Sequence, residues 1–152
     1  MGLITKNGDP INILLVEDNE DDIEITTMAF EEARIHNNLY VVRNGQDGWE
    51  YINRQGKYAD EEKYPAPDLI LLDINMPKMG GFELLEKLKA DEKLKLIPAV
   101  MLTSSKNEED VVKSYFDGAA AYIPKPVNHE EFLKVVEAFN FFWQIVKLPK
   151  KS

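Results

Sequence analysis

The chain has no cysteine. That excludes disulfides, thiol catalysis and any Cys-based zinc centre, and it fits a reducing compartment. Basic charge is also short: 18 Lys and Arg stand against 27 Asp and Glu, a formal charge of −9. Non-specific nucleic-acid binding comes from Lys and Arg meeting phosphates, so this balance argues against it. No apolar run approaches the ~20 residues a membrane helix needs. The opening stretch, Met1 to Pro10, has too short an apolar run for a signal peptide. It begins Met-Gly, but Lys6 stands where a myristoylation motif wants Ser or Thr. It reads as a loose lead-in, and the expected location is cytoplasmic. What remains is 152 residues, 44% of them apolar, enough for a single domain over 1–152 with a proper core.

Short apolar runs alternate with helix-like segments, the pattern of βαβ units and a parallel sheet. The expected strands are Ile11–Val16, Leu39–Val42, Leu69–Leu72, Ala99–Leu102 and Ala121–Ile123. Expected helices follow at about Glu20–Arg34, with Ile23, Thr27, Phe30 and Ala33 on one face, at Gln46–Asn53, and at Phe82–Ala90, with Leu84, Leu85 and Leu88 facing in. Glu20, Asp21 and Asp22 suit the positive end of the first helix dipole. Ser105 and Glu108 have capping-box spacing for a fourth helix, with Val111, Val112, Tyr115 and Phe116 as its stripe and Gly118 as its stop. Asn128 caps a long last helix. Arg54 to Asp68, with Gly56, Pro65, Pro67 and several charges, reads as an exposed loop longer than usual. The fold class is therefore α/β, a five-stranded parallel sheet, doubly wound.

Four reactive stretches fall at strand ends: Glu17-Asp18, Asp73, Thr103 and Lys125. The carboxyl ends of parallel strands line one edge, where α/β proteins place ligands. Each residue has a bland reading too. Asp73 is equally a turn or helix cap, and Asp18, Asn19 and Glu20 are good residues for a helix start. Thr103 and the serines after it can cap the next helix, and a lone Lys is usually a solvated charge. Taken together they fit one chemistry. Clustered carboxylates are costly without a cation among them. Oxygen donors without His or Cys suit magnesium or manganese. Lys125 lies between Pro124 and Pro126, which fix its backbone, and Lys125–Pro126 is the candidate cis bond.

In this order the motifs resemble the receiver domain of two-component response regulators, over about residues 10–148. They are Leu15-Val16-Glu17-Asp18-Asn19, Leu71-Leu72-Asp73-Ile74-Asn75-Met76-Pro77-Lys78-Met79-Gly80-Gly81, Leu102-Thr103-Ser104 and Tyr122-Ile123-Pro124-Lys125-Pro126. The resemblance implies the flavodoxin-like receiver fold, strand order 2-1-3-4-5. It implies that Asp73 is the phosphoacceptor and that Asp18 binds the metal directly with help from Glu17. The backbone carbonyl of Asn75 completes the protein's metal ligands. Thr103 and Lys125 bind the phosphoryl group, and Tyr122 swings inward on phosphorylation. The metal expected is Mg2+, with Mn2+ as a substitute. Glu17 is longer than the Asp often found at its place, and the long loop after Arg54 departs from minimal receivers.

The function implied is phosphorelay signalling. A sensor histidine kinase donates a phosphoryl group, and the surface of the fourth helix, fifth strand and last helix changes in response. On this reading the chain is a phosphoacceptor whose only catalysis is its own phosphoryl transfer and dephosphorylation. The chain is expected to be a stand-alone receiver without an output domain, similar to the small regulators paired with bacterial phytochrome-type kinases. Its last helix carries a second apolar stripe beside the core-facing one. That stripe either covers neighbouring helices of the same chain or binds a second chain; the second reading is favoured, with Phe139, Phe141, Phe142, Trp143 and Ile145 as the expected interface of a two-fold homodimer. No nucleic acid or membrane partner is expected. Two rivals remain: an interaction module that is never phosphorylated, and an aspartate-nucleophile phosphatase. The second would want an acid two residues after Asp73, where Asn75 stands.

Overall fold

The computed structural model describes residues 10–33, 37–74, 76, 78–103, 113, 118–132 and 134. Five parallel strands form its centre: β1 Ile11–Val16, β2 Asn37–Val42, β3 Leu69–Asp73, β4 Ala99–Thr103 and β5 Ala121–Pro124. Their order across the sheet is β2-β1-β3-β4-β5, as the receiver resemblance implies. Three helices described in full connect them, α1 Glu20–Ala33, α2 Gly45–Ile52 and α3 Gly81–Lys89.

Strand runs buried on both faces explain why β1, β3 and β4 read as continuous apolar segments. Alternation splits them between two cores. Ile13, Leu15, Leu69, Leu71, Val100 and Leu102 pack with Ile23 and Phe30 of α1 and with Phe132. Leu14, Val16, Ile70, Leu72 and Met101 face Tyr51, Leu84, Leu85 and Leu88 of α2 and α3. Each such side chain, fully buried, contributes about 1.5–3 kcal/mol. The strand ends are thus rigid where the reactive residues begin.

The helix starts follow their sequence signals. Asn19 accepts from the Asp22 amide at 3.0 Å, Asn44 from the Asp47 amide at 2.8 Å, and Asn128 from the Glu131 amide at 2.9 Å, each satisfying a free donor of a first turn. Residues 129–132 and 134 are helical, and Phe132 stacks on Phe30 with centroids 4.2 Å apart. Gly118 takes φ 101°, the left-handed conformation of a helix stop. The rest of the expected fourth helix lies outside the described residues, apart from helical Lys113. The same holds for 135–152, and with them for Phe139, Phe141, Phe142, Trp143 and Ile145.

One expectation changes and another gains detail. The inner face of α1 is Ile23, Thr26, Ala29 and Phe30. Thr27 sits half-buried at the border, its hydroxyl donating to the Ile23 carbonyl at 2.8 Å, and the surroundings of Ala33 are outside the described set. The segment after Arg54 is mostly exposed, as expected, but it is anchored to the fold. A short 3-10 turn at Gly56–Ala59 buries Tyr58. Tyr51, Tyr58 and Tyr64 pack ring on ring, with centroids 5.0 to 5.7 Å apart. The Tyr51 hydroxyl donates to the Pro65 carbonyl at 2.9 Å, and Arg54 Nη1 donates to the Tyr64 carbonyl at 3.1 Å. Burial pushes the Tyr51 hydroxyl well above its ordinary range, so it stays a donor. Gly, Pro and charge outweighed three dispersed tyrosines in the reading of the sequence.

Candidate functional site

The sheet register brings the reactive residues to one edge. Val16 pairs with Leu72, Asp73 with Leu102, and Thr103 with Pro124. Glu17 and Asp73 therefore stand at the ends of neighbouring strands, and Lys125 follows β5, on the far side of β4, at the same edge. The Lys125–Pro126 bond is cis, as the sequence suggested. Gly81 lets α3 begin against the β3 end: a Cβ there would lie 2.2 Å from the Asp73 carbonyl oxygen. Gly45 does the same for the following loop, since its Cβ would meet the Met79 carbonyl. Lys78 and Met79 themselves have positive φ, so this turn is tight and held from both sides.

At the centre lies the Lys125 ammonium. It is 2.7 Å from Glu17 Oε1, 2.9 Å from Asp22 Oδ2 and 3.3 Å from Asp73 Oδ1. The Asp22 contact is a well-formed hydrogen bond. The Glu17 contact is close but poorly aligned, so Oε1 is held by charge and has no directed hydrogen bond. Glu17 Oε2 accepts weakly from the Asn19 amide at 3.3 Å. Glu17 is wholly buried and Asp73 nearly so, whereas Asp18 is exposed.

Burial drives the electrostatics. It pushes the Glu17 carboxyl up to about 7, with the Lys125 ammonium opposing and the Asp73 charge adding to the rise. Burial likewise raises Asp73, with Lys125 opposing and Asp18 adding. For Lys125 burial acts downward, but Glu17, Asp22 and Asp73 together hold it above the usual ammonium range. The cluster is thus short of positive charge.

One carboxylate oxygen from each of Glu17, Asp18 and Asp73 lies within 4.8 Å of the others. Such a set fits a hard divalent cation: the donors are oxygens, two are buried, and the buried Glu17 Oε1 lacks a directed donor. Asp18 gives the set an exposed side through which an ion can enter. The sequence singled out Glu17, Asp18, Asp73 and Lys125, and these four come together. Thr103 ends β4 beside Pro124, its side chain outside the described residues, as is Asn75. Tyr122 is half-buried and packs on the α2 and α3 side of the sheet. Sequence reasoning missed Asp22, which it assigned only to the helix dipole. The one available hint was its place in the first turn of α1, which starts directly after the Glu17-Asp18 strand end.

Comparisons with known proteins give the family of the chain. Residues 13–137 match the response regulator receiver domain. The chain belongs to the response regulator receiver family. Response regulator Rcp1 of Synechocystis sp. is 37% identical over 145 residues, 95% of this chain and 97% of Rcp1. The structure of its Mn2+-bound form aligns at TM-score 0.72 and 38% identity, over 92% of this chain and 99% of that one. The phosphorylated cyanobacterial phytochrome response regulator RcpA aligns at TM-score 0.74 and 37% identity, covering 93% and 99%. The bacteriophytochrome response regulator RtBRR aligns at 0.79 and 40% identity, covering 92% and 84%. The five-stranded sheet is that of a receiver, and receivers are signalling domains. No helix among the described residues is long and apolar enough to cross a membrane.

Proposed function

We propose that this receiver takes a phosphoryl group on Asp73 from a sensor histidine kinase, in a Mg2+-dependent reaction, and that the kinase is of the phytochrome type. The observation that carries the reading is Lys125, held 3.3 Å from a nearly buried Asp73 beside two further acids. The named relatives support it: one is a Mn2+-bound form, another is phosphorylated, and two are phytochrome response regulators.

Glu17, Asp18, Asp73 and the Asn75 carbonyl are the residues that would hold the metal. When bound, Mg2+ supplies positive charge for the equatorial oxygens of the transferring group. The chain's own residues do the rest. Asp73, its charged form favoured by the adjacent Lys125 ammonium, offers a carboxylate oxygen in line with the scissile bond. The oxygen–phosphorus bond forms as the nitrogen–phosphorus bond to the kinase histidine breaks. The imidazole leaves with that electron pair and takes up a proton. Lys125 offsets charge on one phosphoryl oxygen and the Thr103 hydroxyl donates to another. Water later cleaves the acyl phosphate.

Thr103 then moves toward the phosphoryl group, Tyr122 turns inward, and the surface of the fourth helix, β5 and the last helix changes. In this reading residues 1–152 act as one receiver domain in the cytoplasm, paired as homodimers through Phe139, Phe141, Phe142, Trp143 and Ile145. Beryllofluoride with Mg2+, which mimics the phosphoryl group, tests the binding step. At free ligand about 100 times Kd the melting temperature rises by about 5–10 °C. No rise beyond that from Mg2+ alone would instead favour a module that never takes a phosphoryl group, and turnover of a phosphate ester would favour a phosphatase.

A further inference from the structure

Asp22 lies outside the acid set that fits the cation, yet it makes the best-aligned contact to Lys125. Its Oδ2 accepts from the ammonium at 2.9 Å, across 103 positions of sequence. Asp22 sits in the first turn of α1, whose start Asn19 fixes by accepting from the Asp22 amide. The carboxylate is partly sheltered, with 29% of its side chain exposed, and the Lys125 side chain has 11% exposed. An ammonium has three donors on a flexible four-carbon stem, and nothing intrinsic to Lys chooses their directions. Glu17 and Asp73, the other two acids on this ammonium, belong to the set that fits the cation. Asp22 alone of the three does not.

We propose that Asp22 is a positioning residue for the phosphoryl transfer: it holds the Lys125 ammonium so that the remaining donors point at Asp73 and the incoming group. The inference rests on the phosphoryl-acceptor reading given above. Asp22 touches neither metal nor phosphoryl group, so its loss acts on the rate through Lys125 and leaves the metal-binding acids in place.

The test uses the full chain, acetyl phosphate and Mg2+. In the labelling step a carboxylate oxygen of Asp73 bonds to phosphorus as the bond to acetate breaks, and acetate leaves with the electron pair. In Asp22→Ala the pseudo-first-order labelling rate at saturating Mg2+ falls about tenfold, the worth of one charge-assisted hydrogen bond. The Mg2+ Kd, from calorimetry without acetyl phosphate, changes less than about twofold, well under the step of one such bond. The isosteric Asp22→Asn keeps an acceptor oxygen and recovers part of the rate, which also covers a failure of the alanine variant to fold. Wild-type labelling rates in both variants would overturn the inference, as would a parallel loss of Mg2+ affinity and labelling. A wild-type protein that never labels would instead refute the phosphoryl-acceptor reading itself.

Discussion

Removing the Lys125 ammonium gives a sharply pH-dependent result. In the metal-free protein this one cation faces Glu17, Asp22 and Asp73. Breaking a fully buried ion pair costs about 3–5 kcal/mol. Here the cost is smaller, because the acids can take up a proton instead of standing unpaired. Glu17 already has its carboxyl pushed up to about 7 by burial, against Lys125. Without that ammonium the carboxyl rises further. A raised folded-state value means the group's contribution is fully present below the unfolded value and is lost as pH climbs through the folded one. In Lys125→Met, folded Glu17 keeps its proton to higher pH than in the wild type, while the unfolded chains behave alike. Each pH unit in which the two folded forms differ by one proton then adds about 1.4 kcal/mol to the penalty. Urea titrations in chelator should therefore show little loss at about pH 6 and a loss of about 1–2 kcal/mol at about pH 8, with an unchanged m-value. A penalty equal at both pH values, or larger at the lower one, would refute the argument that buried carboxylates set it.

Other outcomes follow from the same contacts. Glu17→Gln removes a buried charge with a raised carboxyl, so the metal-free protein gains about 1 kcal/mol above pH 7 by urea titration, while Mg2+ affinity by calorimetry drops. Gly81→Ala forces a Cβ to 2.2 Å from the Asp73 carbonyl oxygen. Backbone cannot yield as a side chain does, so stability falls by about 2 kcal/mol, and a thermal melt no lower than wild type would contradict the close approach. Tyr51→Phe removes the donor to the Pro65 carbonyl. It costs about 1 kcal/mol and speeds proteolytic nicking within 54–67, whereas an unchanged cleavage rate would mean that the bond does not hold this segment.

Strands β1, β3 and β4 were legible because burial on both faces leaves unbroken apolar runs, and the motifs at the strand ends put Glu17, Asp73 and Lys125 on one rim. The receiver strand order came from the motifs, since local patterns do not say which strands pair. Asp22 was hidden by a sufficient local explanation: an acid in a first helical turn already has a partner in the dipole. Its second partner is 103 positions away, beyond any periodicity. On the inner face of α1 Ile23 and Phe30 stand as expected, but Thr26 takes the place expected of Thr27, because the two are equally polar in sequence and only packing against the sheet selects between them. The tyrosine cluster escaped for a similar reason. Tyr51, Tyr58 and Tyr64 meet through a turn and two carbonyl contacts, not at helix or strand spacing.

The most direct test of the whole account is the site of phosphoryl labelling. Acetyl phosphate and Mg2+ are added to the wild-type chain and to Asp73→Asn, and intact mass and peptide mapping follow. The expected result is one phosphoryl group per wild-type chain, on the peptide containing Asp73, none with chelator present, and none on the variant. Equal labelling of Asp73→Asn, or a label mapped to another segment, would contradict it.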